Sequence, residues 1–191
     1  KDIKGDLHTH STWSDGRESI ETMAREAKSL GRDYIVISDH SYPNLLDFKK
    51  RLREIEHVNY SIEGIRVISG LEVNINADMT LQVSDEILKM HEVILVSVHT
   101  AFRQSREEMT KRILTVLENP NVDILAHPTG RMLLEREEID ADWEAIFKRA
   151  VELGKIIEIN SQEKRLDLPD NLVRPAKSFG VKFSIDTDSH H

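Results

Sequence analysis

The sequence predicts an α/β fold in which seven parallel strands close into a small β/α barrel. Three observations carry this expectation. Short β-branched and aliphatic runs, the pattern of strands buried on both faces, alternate with amphipathic stretches of period 3.6. Strict alternation with right-handed crossovers gives a parallel sheet, open or closed. Nearly every run also ends in His, Asp, Glu or Asn, so seven polar ends need one meeting place. A barrel gathers its strand ends on one rim, whereas an open sheet joins only those beside its switch point.

The first strand is expected over 3–8, ending in Asp6-Leu7-His8, and the first helix over 18–30, before Gly31. A glycine there suits the left-handed residue that ends many helices. The second strand, 34–39, carries Tyr34-Ile35-Val36-Ile37 and precedes a helix over 45–63. The third, 66–72, ends in Gly70-Leu71-Glu72, and the fourth, 93–99, in Ser97-Val98-His99, with a helix over 105–118 behind it. The fifth, 122–127, ends in Ala126-His127, and a helix over 143–153 stops at Gly154. The sixth, 156–160, ends in Asn160, a helix over 171–179 stops at Gly180, and the seventh covers 182–186. No repeat beyond the βα unit and no linker is visible, so residues 1–191 read as one domain. The start at Lys1, without an initiator methionine, suggests a fragment of a longer chain.

Bulk properties narrow the function. Hydrophobic residues make up 39% and charged residues 31%, ordinary for a globular protein with a real core. No apolar run approaches the roughly 20 residues needed to cross a bilayer, and no signal-peptide pattern opens the chain, so a membrane role is not expected. The absence of cysteine excludes disulfides and thiolate metal sites and fits a cytoplasmic protein. A net charge of −8 argues against strong autonomous binding to nucleic acid. It does not argue against an enzyme of phosphates, because three divalent ions would bring the total to about −2 and reverse the local field.

The polar strand ends are the informative part. His8 and His10 alternate, so both can face one ion. Asp15 follows in a Ser-Asp-Gly turn, where a turn-former is the ordinary reading. Asp39 and His40 are adjacent and point to opposite sides, which suggests one ligand and one residue that orients it. Glu72, His99, His127, Asp188 and His190 complete the set; the His190-His191 pair can also be read as the start of an affinity tag. Singly, each is a satisfied core group or a cap. Nine together at buried strand ends, each costing several kcal/mol if uncompensated, point to a shared metal centre. His57 and His91 serve as controls, at places where a solvated histidine is expected. Imidazole and carboxylate without sulfur suit zinc, manganese or iron(II), and nine ligands suit two or three ions. Glu72 is well placed to bridge.

At this point the chain resembles the polymerase and histidinol phosphatase (PHP) family. The residues that carry the resemblance are Lys4-Gly-Asp-Leu-His-Thr-His-Ser-Thr-Trp-Ser-Asp-Gly16, Ser38-Asp-His-Ser41, Gly70-Leu-Glu-Val73, Ser97-Val-His99, His127-Pro-Thr-Gly-Arg131, Glu158-Ile-Asn160 and Arg165-Leu-Asp-Leu168. Within the family the chain is most similar to the carboxyl-terminal PHP domain of bacterial and archaeal family X DNA polymerases. The resemblance implies a distorted seven-stranded, TIM-like barrel with three metal positions. By analogy His8, His10, Glu72 and Asp188 hold one ion, Glu72, His99 and His127 a second, and Asp15, His40 and His190 a third. Three departures stand out: Asn74 where aspartate is more usual, Glu163 where proline is common, and Asp186 where a small hydroxyl residue is usual.

The implied reaction is hydrolysis of phosphate esters, with 3′–5′ exonuclease or 3′-end processing of DNA as the leading form and a polymerase module in the parent chain as partner. Catalytic roles fall to Glu72, His99 and Asp188, and phosphate-binding roles to Arg131 and Arg165. Each arginine has an equally simple reading as a solvated loop residue. Asn160 either positions substrate or satisfies backbone. Trp13 either stacks on a base or packs its loop, and Lys49-Lys-Arg-Leu-Arg53 reads as a solvated helix face. The rivals are a free-standing phosphatase of small monoesters, an amidohydrolase and a catalytically silent structural module. An amidohydrolase tends to place a lysine on strand four, where this chain has His99.

Overall fold

The computed structural model describes residues 3–42 and 47–191. Its elements run β1 (Gly5–Thr9), α1 (Ile20–Ser29), β2 (Tyr34–Ile37), α2 (Phe48–Ser61), β3 (Arg66–Asn74), α3 (Asp85–Leu88), β4 (Val93–Ser97), α4 (Arg106–Leu117), β5 (Ile124–Leu125), α5 (Trp143–Leu153), β6 (Ile156–Asn160), α6 (Asp170–Phe179) and β7 (Lys182–Asp186). The strands form one parallel sheet in the order β1 to β7. All seven expected strands are present, and all five expected helices. The part of the second helix expected before residue 47 reaches into 43–46, outside the described residues. The short α3 was not foreseen.

Closure is almost complete. β7 and β1 meet through a parallel bridge between Thr9 and Ser189, and the His10 N–H donates to the Ser189 carbonyl at 2.8 Å. Below that bridge side chains replace the ladder: Asp186 Oδ1 accepts from the Leu7 N–H at 2.8 Å, and Asp6 Oδ1 from the Thr187 N–H at 3.2 Å. The barrel is thus a TIM-like one with a stitched seam.

Local chemistry sets the element ends. Ser19 caps α1, and Ser105 with Glu108 forms a capping box on α4, which satisfies donors the first helical turn leaves free. Gly154 and Gly180 end α5 and α6 at φ 70° and 89°. β3 changes partner midway: Tyr34–Ile37 pair with residues 66–69, and Val93–Ser97 with residues 70–74. Gly70 stands at that change. A Cβ there would lie 2.4 Å from Val36 Cγ1 and 3.3 Å from the Ile37 and Val93 carbonyls, so only glycine lets the neighbouring strands close in.

The apolar core lies mainly between helices and sheet, around Leu71, Val96, Ile113, Ile146 and Ile157 on one side and Ile20, Ile37, Ile55 and Val67 on the other. A separate small cluster, Leu95, Ile124 and Ala126 with Leu7, Val93 and Ile156, shares the strand faces that carry Ser97 and Glu158 further along. It is an apolar floor beneath the polar rim.

Candidate metal centre

Each strand end delivers its polar residue to one place. β1 and the turn after it bring His8, His10 and Asp15; β2 brings His40; β3 brings Glu72. The remaining strand ends bring His99, His127, Asp188 and His190. All nine proposed ligands meet in four overlapping groups: His10, Asp15, His40 and His190; His8, His10 and Asp188; His8, Glu72 and His127; and His40, Glu72 and His99.

Glu72 is the junction. Its carboxylate is 1% exposed and faces five imidazoles: His8 Nε2 at 3.3 Å, His10 Nε2 at 3.5 Å, His40 Nδ1 at 2.9 Å, His99 Nε2 at 3.4 Å and His127 Nε2 at 2.8 Å. Asp188 Oδ1 stands 3.5 Å from His8 Nε2 and 3.2 Å from His10 Nε2. At the outer edge Asp15 Oδ2 is 3.4 Å from both His40 Nε2 and His190 Nε2. Two ligands held about 2.1 Å from one ion lie about 3.0–3.4 Å apart, and these separations cluster there. Hydrogen bonding explains only part of the set, the His127–Glu72 contact above all. His8 Nε2, His10 Nε2, Glu72 Oε2 and His127 Nδ1 are buried with no aligned hydrogen-bond partner among the described residues. Native interiors rarely leave such atoms unpaired, so the donor set fits divalent metal ions.

The electrostatics without metal show the same mutual dependence. Burial alone would depress the His8 imidazole, but Glu158, Asp188 and Glu72 outweigh it and hold it well above its ordinary value. Burial likewise opposes the charge on Glu72, yet His8 and His99 hold its carboxyl well below the usual range. Burial depresses His10 and His127. His40 rises to about 10, because hydrogen bonds to Asp15 and Glu72 overcome its burial.

Positioning residues surround the cluster. Glu158 on β6 was quoted in the sequence without a role, and it holds two ligands. Its Oε1 lies 2.7 Å from His8 Nδ1, and its other oxygen accepts the His127 N–H. That second bond turns the chain at His127, at φ 27°, and leaves β5 only two residues long. Alternation on β6, the cue used for His8 and His10, would have found Glu158. Asn160 donates to Asp188 Oδ2 at 3.1 Å, and Asn74 accepts the His99 N–H at 3.1 Å. Asp39 joins none of the four groups and bonds Ser11 and Arg51 instead, with no bond to His40 among the described residues.

A cavity of 480 Å³ opens over the cluster, walled on its far side by Tyr42, Asn74, Gln82, Met132 and Gln162. Arg165 lines it, the one arginine or lysine to do so among the described residues. Its Nε is 3.3 Å from Asp188 Oδ2, and its Nη1 has no partner there. Arg131 does not line the cavity. Its guanidinium donates to the carbonyls of Arg165, at 2.8 Å, and Leu166, and pairs with Glu138 at 3.2 Å.

Other residues fall elsewhere. Trp13 packs its loop and donates from Nε1 to Glu54 at 2.9 Å. Within the basic run of α2, Arg51 is fully buried, which corrects the expectation of a wholly solvated face. His57 is exposed as a control should be, but His91 is not. It packs on Phe48 and bonds the Ile87 carbonyl, and burial lowers it to about 4. Asp186 lies at the seam, not among the ligands, and burial followed by Glu158 pushes it up to about 7.

The model of the PHP domain matches residues 6–162. The chain belongs to the PHP domain family. This PHP domain is 37% identical over 196 residues to the DNA polymerase/3′-5′ exonuclease PolX of Bacillus subtilis, a match covering 99% of the chain but 34% of that protein. It therefore spans about a third of that relative's length. It is 31% identical over 202 residues to a probable phosphatase of Thermoanaerobacter sp. (strain X514), covering 97% of the chain and 78% of that protein. Among solved structures, a two-domain Bacteroides vulgatus protein containing a predicted PHP-like metal-dependent phosphoesterase superposes with a TM-score of 0.56 at 16% identity, over 98% of this PHP domain and 52% of that chain. That likeness concerns the fold.

Proposed function

We propose that this PHP domain is a metal-dependent phosphoesterase that trims or processes DNA 3′ ends as a 3′–5′ exonuclease, with a polymerase module in its parent chain supplying affinity for DNA. The observation that carries the phosphoesterase reading is Glu72, one buried carboxylate shared by two of the four ligand groups, with the Arg165 guanidinium on the wall of the same cavity. The DNA reading draws on the likeness to the Bacillus polymerase along nearly the whole chain. An acidic domain with one cation in its cavity is ill suited to grip DNA alone, which fits a partner module. A cytoplasmic location goes with this; no helix among the described residues is long and apolar enough to cross a membrane.

His8, His10, Asp15, His40, Glu72, His99, His127, Asp188 and His190 would hold two or three ions of zinc, manganese or iron(II). Divalent ions bound there supply an activated water near neutral pH and neutralise phosphoryl charge. The chain contributes the rest. Glu158 fixes the His8 ring through Nδ1, so Nε2 faces Glu72 and Asp188. Asn160 and the Arg165 Nε fix Asp188. The Arg165 guanidinium, on the cavity wall, is the group to contact a non-bridging phosphate oxygen, and Arg131 tethers the loop that presents it.

Arg165→Ala should lower kcat/KM about 10–100-fold, the effect of one or two charge-assisted hydrogen bonds, with metal content unchanged. Arg131→Ala should act more weakly and in the same sense. Steady-state kinetics beside metal analysis check both; an Arg165 variant with wild-type kcat/KM removes the clamp.

Likeness to the Thermoanaerobacter probable phosphatase, at 78% of its length, favours a second reading, hydrolysis of small phosphate monoesters. A 5′-labelled single-stranded oligonucleotide with the manganese-loaded domain, beside His8→Ala, separates the two. A ladder of shortened products, absent in the variant, supports the exonuclease. No shortening, with phosphate released from a 3′-phosphorylated end or a small monoester, replaces it with the phosphatase.

A further inference from the structure

The nine rim residues leave a buried charge pair beside them unexplained. Asp39, at the end of β2, and Arg51, on α2, are both 0% exposed. Arg51 Nε donates to Asp39 Oδ2 at 2.6 Å, and its Nη2 donates to the carbonyls of Ile37 at 2.5 Å and Gly70 at 2.9 Å. The guanidinium is thereby locked where β2 ends and β3 changes partner. The other Asp39 oxygen, Oδ1, accepts from the Ser11 N–H at 2.7 Å and the Ser14 hydroxyl at 2.9 Å. Ser14 Oγ in turn lies 3.2 Å from Asp15 Oδ1 and 3.5 Å from His10 Nδ1. A continuous path therefore runs from a helix behind the sheet to the outermost ligands.

That path adds the side-chain support to a group otherwise held through backbone bonds, from the His10 N–H to the Ser189 carbonyl, Gly16 to Ser11 and Arg17 to His190. Asp15 is its only carboxylate, sits in a turn and has a side chain 45% exposed. Two apolar residues would fill the space behind β2 with less desolvation than a buried ion pair, so such a pair is poorly explained by stability alone. The groups around His8 and His127 have a separate support in Glu158, and His40 is set by its backbone bridge to Glu72 rather than by Asp39. The two carboxylates divide the rim between them.

We propose that the Arg51–Asp39 pair positions the outer ligand group, His10, Asp15, His40 and His190, by holding the 11–15 turn through Ser11 and Ser14, and so sets the affinity for the ion held by Asp15 more strongly than that for the ions at Glu72. This rests on the reading of the rim as a metal centre. Loss of an outer-shell partner of this kind weakens metal binding about 10–100-fold.

The test is per-site manganese or zinc affinity by titration calorimetry, with metal content after dialysis, on the whole chain. The double variant Asp39→Leu/Arg51→Met replaces the pair by apolar side chains. Ser14→Ala cuts only the link to Asp15 and His10. The double variant should fold, with a metal-free Tm near that of the wild type, and should bind one ion about 10–100-fold more weakly while its remaining sites, which share only His10 and His40 with that group, change far less. Ser14→Ala should weaken the same ion by a smaller factor. A double variant that binds every ion with wild-type affinity overturns the proposal, as does one that weakens all sites alike. If the double variant does not fold, Ser14→Ala decides alone, and unchanged affinity there overturns it. A wild-type chain that takes up no ion overturns the metal-centre reading and this one with it.

Discussion

Glu72→Gln should lower turnover by on the order of 10³–10⁴-fold and leave the chain short of at least one ion. The substitution keeps shape and volume but removes the charge that faces five imidazoles. No other proposed ligand belongs to both the His8–His127 and the His40–His99 groups, so no neighbour takes over. Charge stabilisation at a metal-assisted transition state is worth several kcal/mol, and each factor of ten in rate corresponds to about 1.4 kcal/mol. Two further effects point the same way. An amide nitrogen offers hydrogens where ligation needs lone pairs. The surrounding histidines, His8 and His40 among them, also lose part of what raises them. Turnover and metal content, measured together on each substrate class, check the prediction. A variant that keeps its full complement of ions and more than a tenth of the rate would show that Glu72 is a packing residue.

The order of strands was legible because both requirements of a parallel barrel strand, apolar flanks and a functional end, fall within a few consecutive residues. Val93-Ile94-Leu95-Val96 followed by Ser97-Val98-His99 states both at once. The nine rim residues were legible for the same reason, since recurrence at strand ends is a one-dimensional signal of a three-dimensional ring. What depends on contacts between elements left weaker traces. Arg51 looked like one member of a basic helix face, because period alone does not tell a buried guanidinium from its solvated neighbours Lys49 and Arg53. Its partner Asp39 lies a dozen residues upstream, across a strand boundary. His91 looked solvated because the ring that covers it, Phe48, comes from α2. Arg131 and Arg165 looked alike, and only the loop geometry shows that Arg165 lines the cavity while Arg131 bonds the loop carbonyls behind it. The seam was least legible: Asp6 and Asp186 pair with backbone N–H groups across the whole length of the chain.

Metal-free protein should lose stability as pH rises from about 6.5 to 9, and metal-loaded protein should hold a level stability over the same range. Without metal, His40 binds its proton far more tightly folded than unfolded, about 10 against an ordinary 6.5, because Asp15 and Glu72 outweigh its burial. A raised histidine stabilises the fold fully below 6.5, and that contribution drains away as pH climbs towards 10. Raised carboxyl groups act in the same sense at lower pH. Burial lifts Asp167 to about 6 and Asp186 to about 7 from 3.8, so their contribution is lost as pH rises through those values. Depressed carboxyls, Glu72 and Asp188 among them, contribute only above their ordinary range, so the metal-free fold also weakens in strong acid. Its optimum should fall between roughly pH 4 and 6.5, with losses above that approaching about 1.4 kcal/mol per pH unit for each proton released. Ligation removes that slope. Metal binding requires neutral imidazoles and expels those protons, so affinity rises with pH as the metal-free fold weakens. The loaded state, with histidines neutral folded and unfolded alike above 6.5, keeps a level stability. Thermal unfolding from pH 5 to 9, in chelator and in excess manganese, checks both curves. They should converge near pH 5, where protons outcompete the ions, and diverge above 7. His40→Asn should flatten the metal-free slope. Parallel curves for the two forms would mean that these histidines keep their protons when metal is present, and that they are not its ligands.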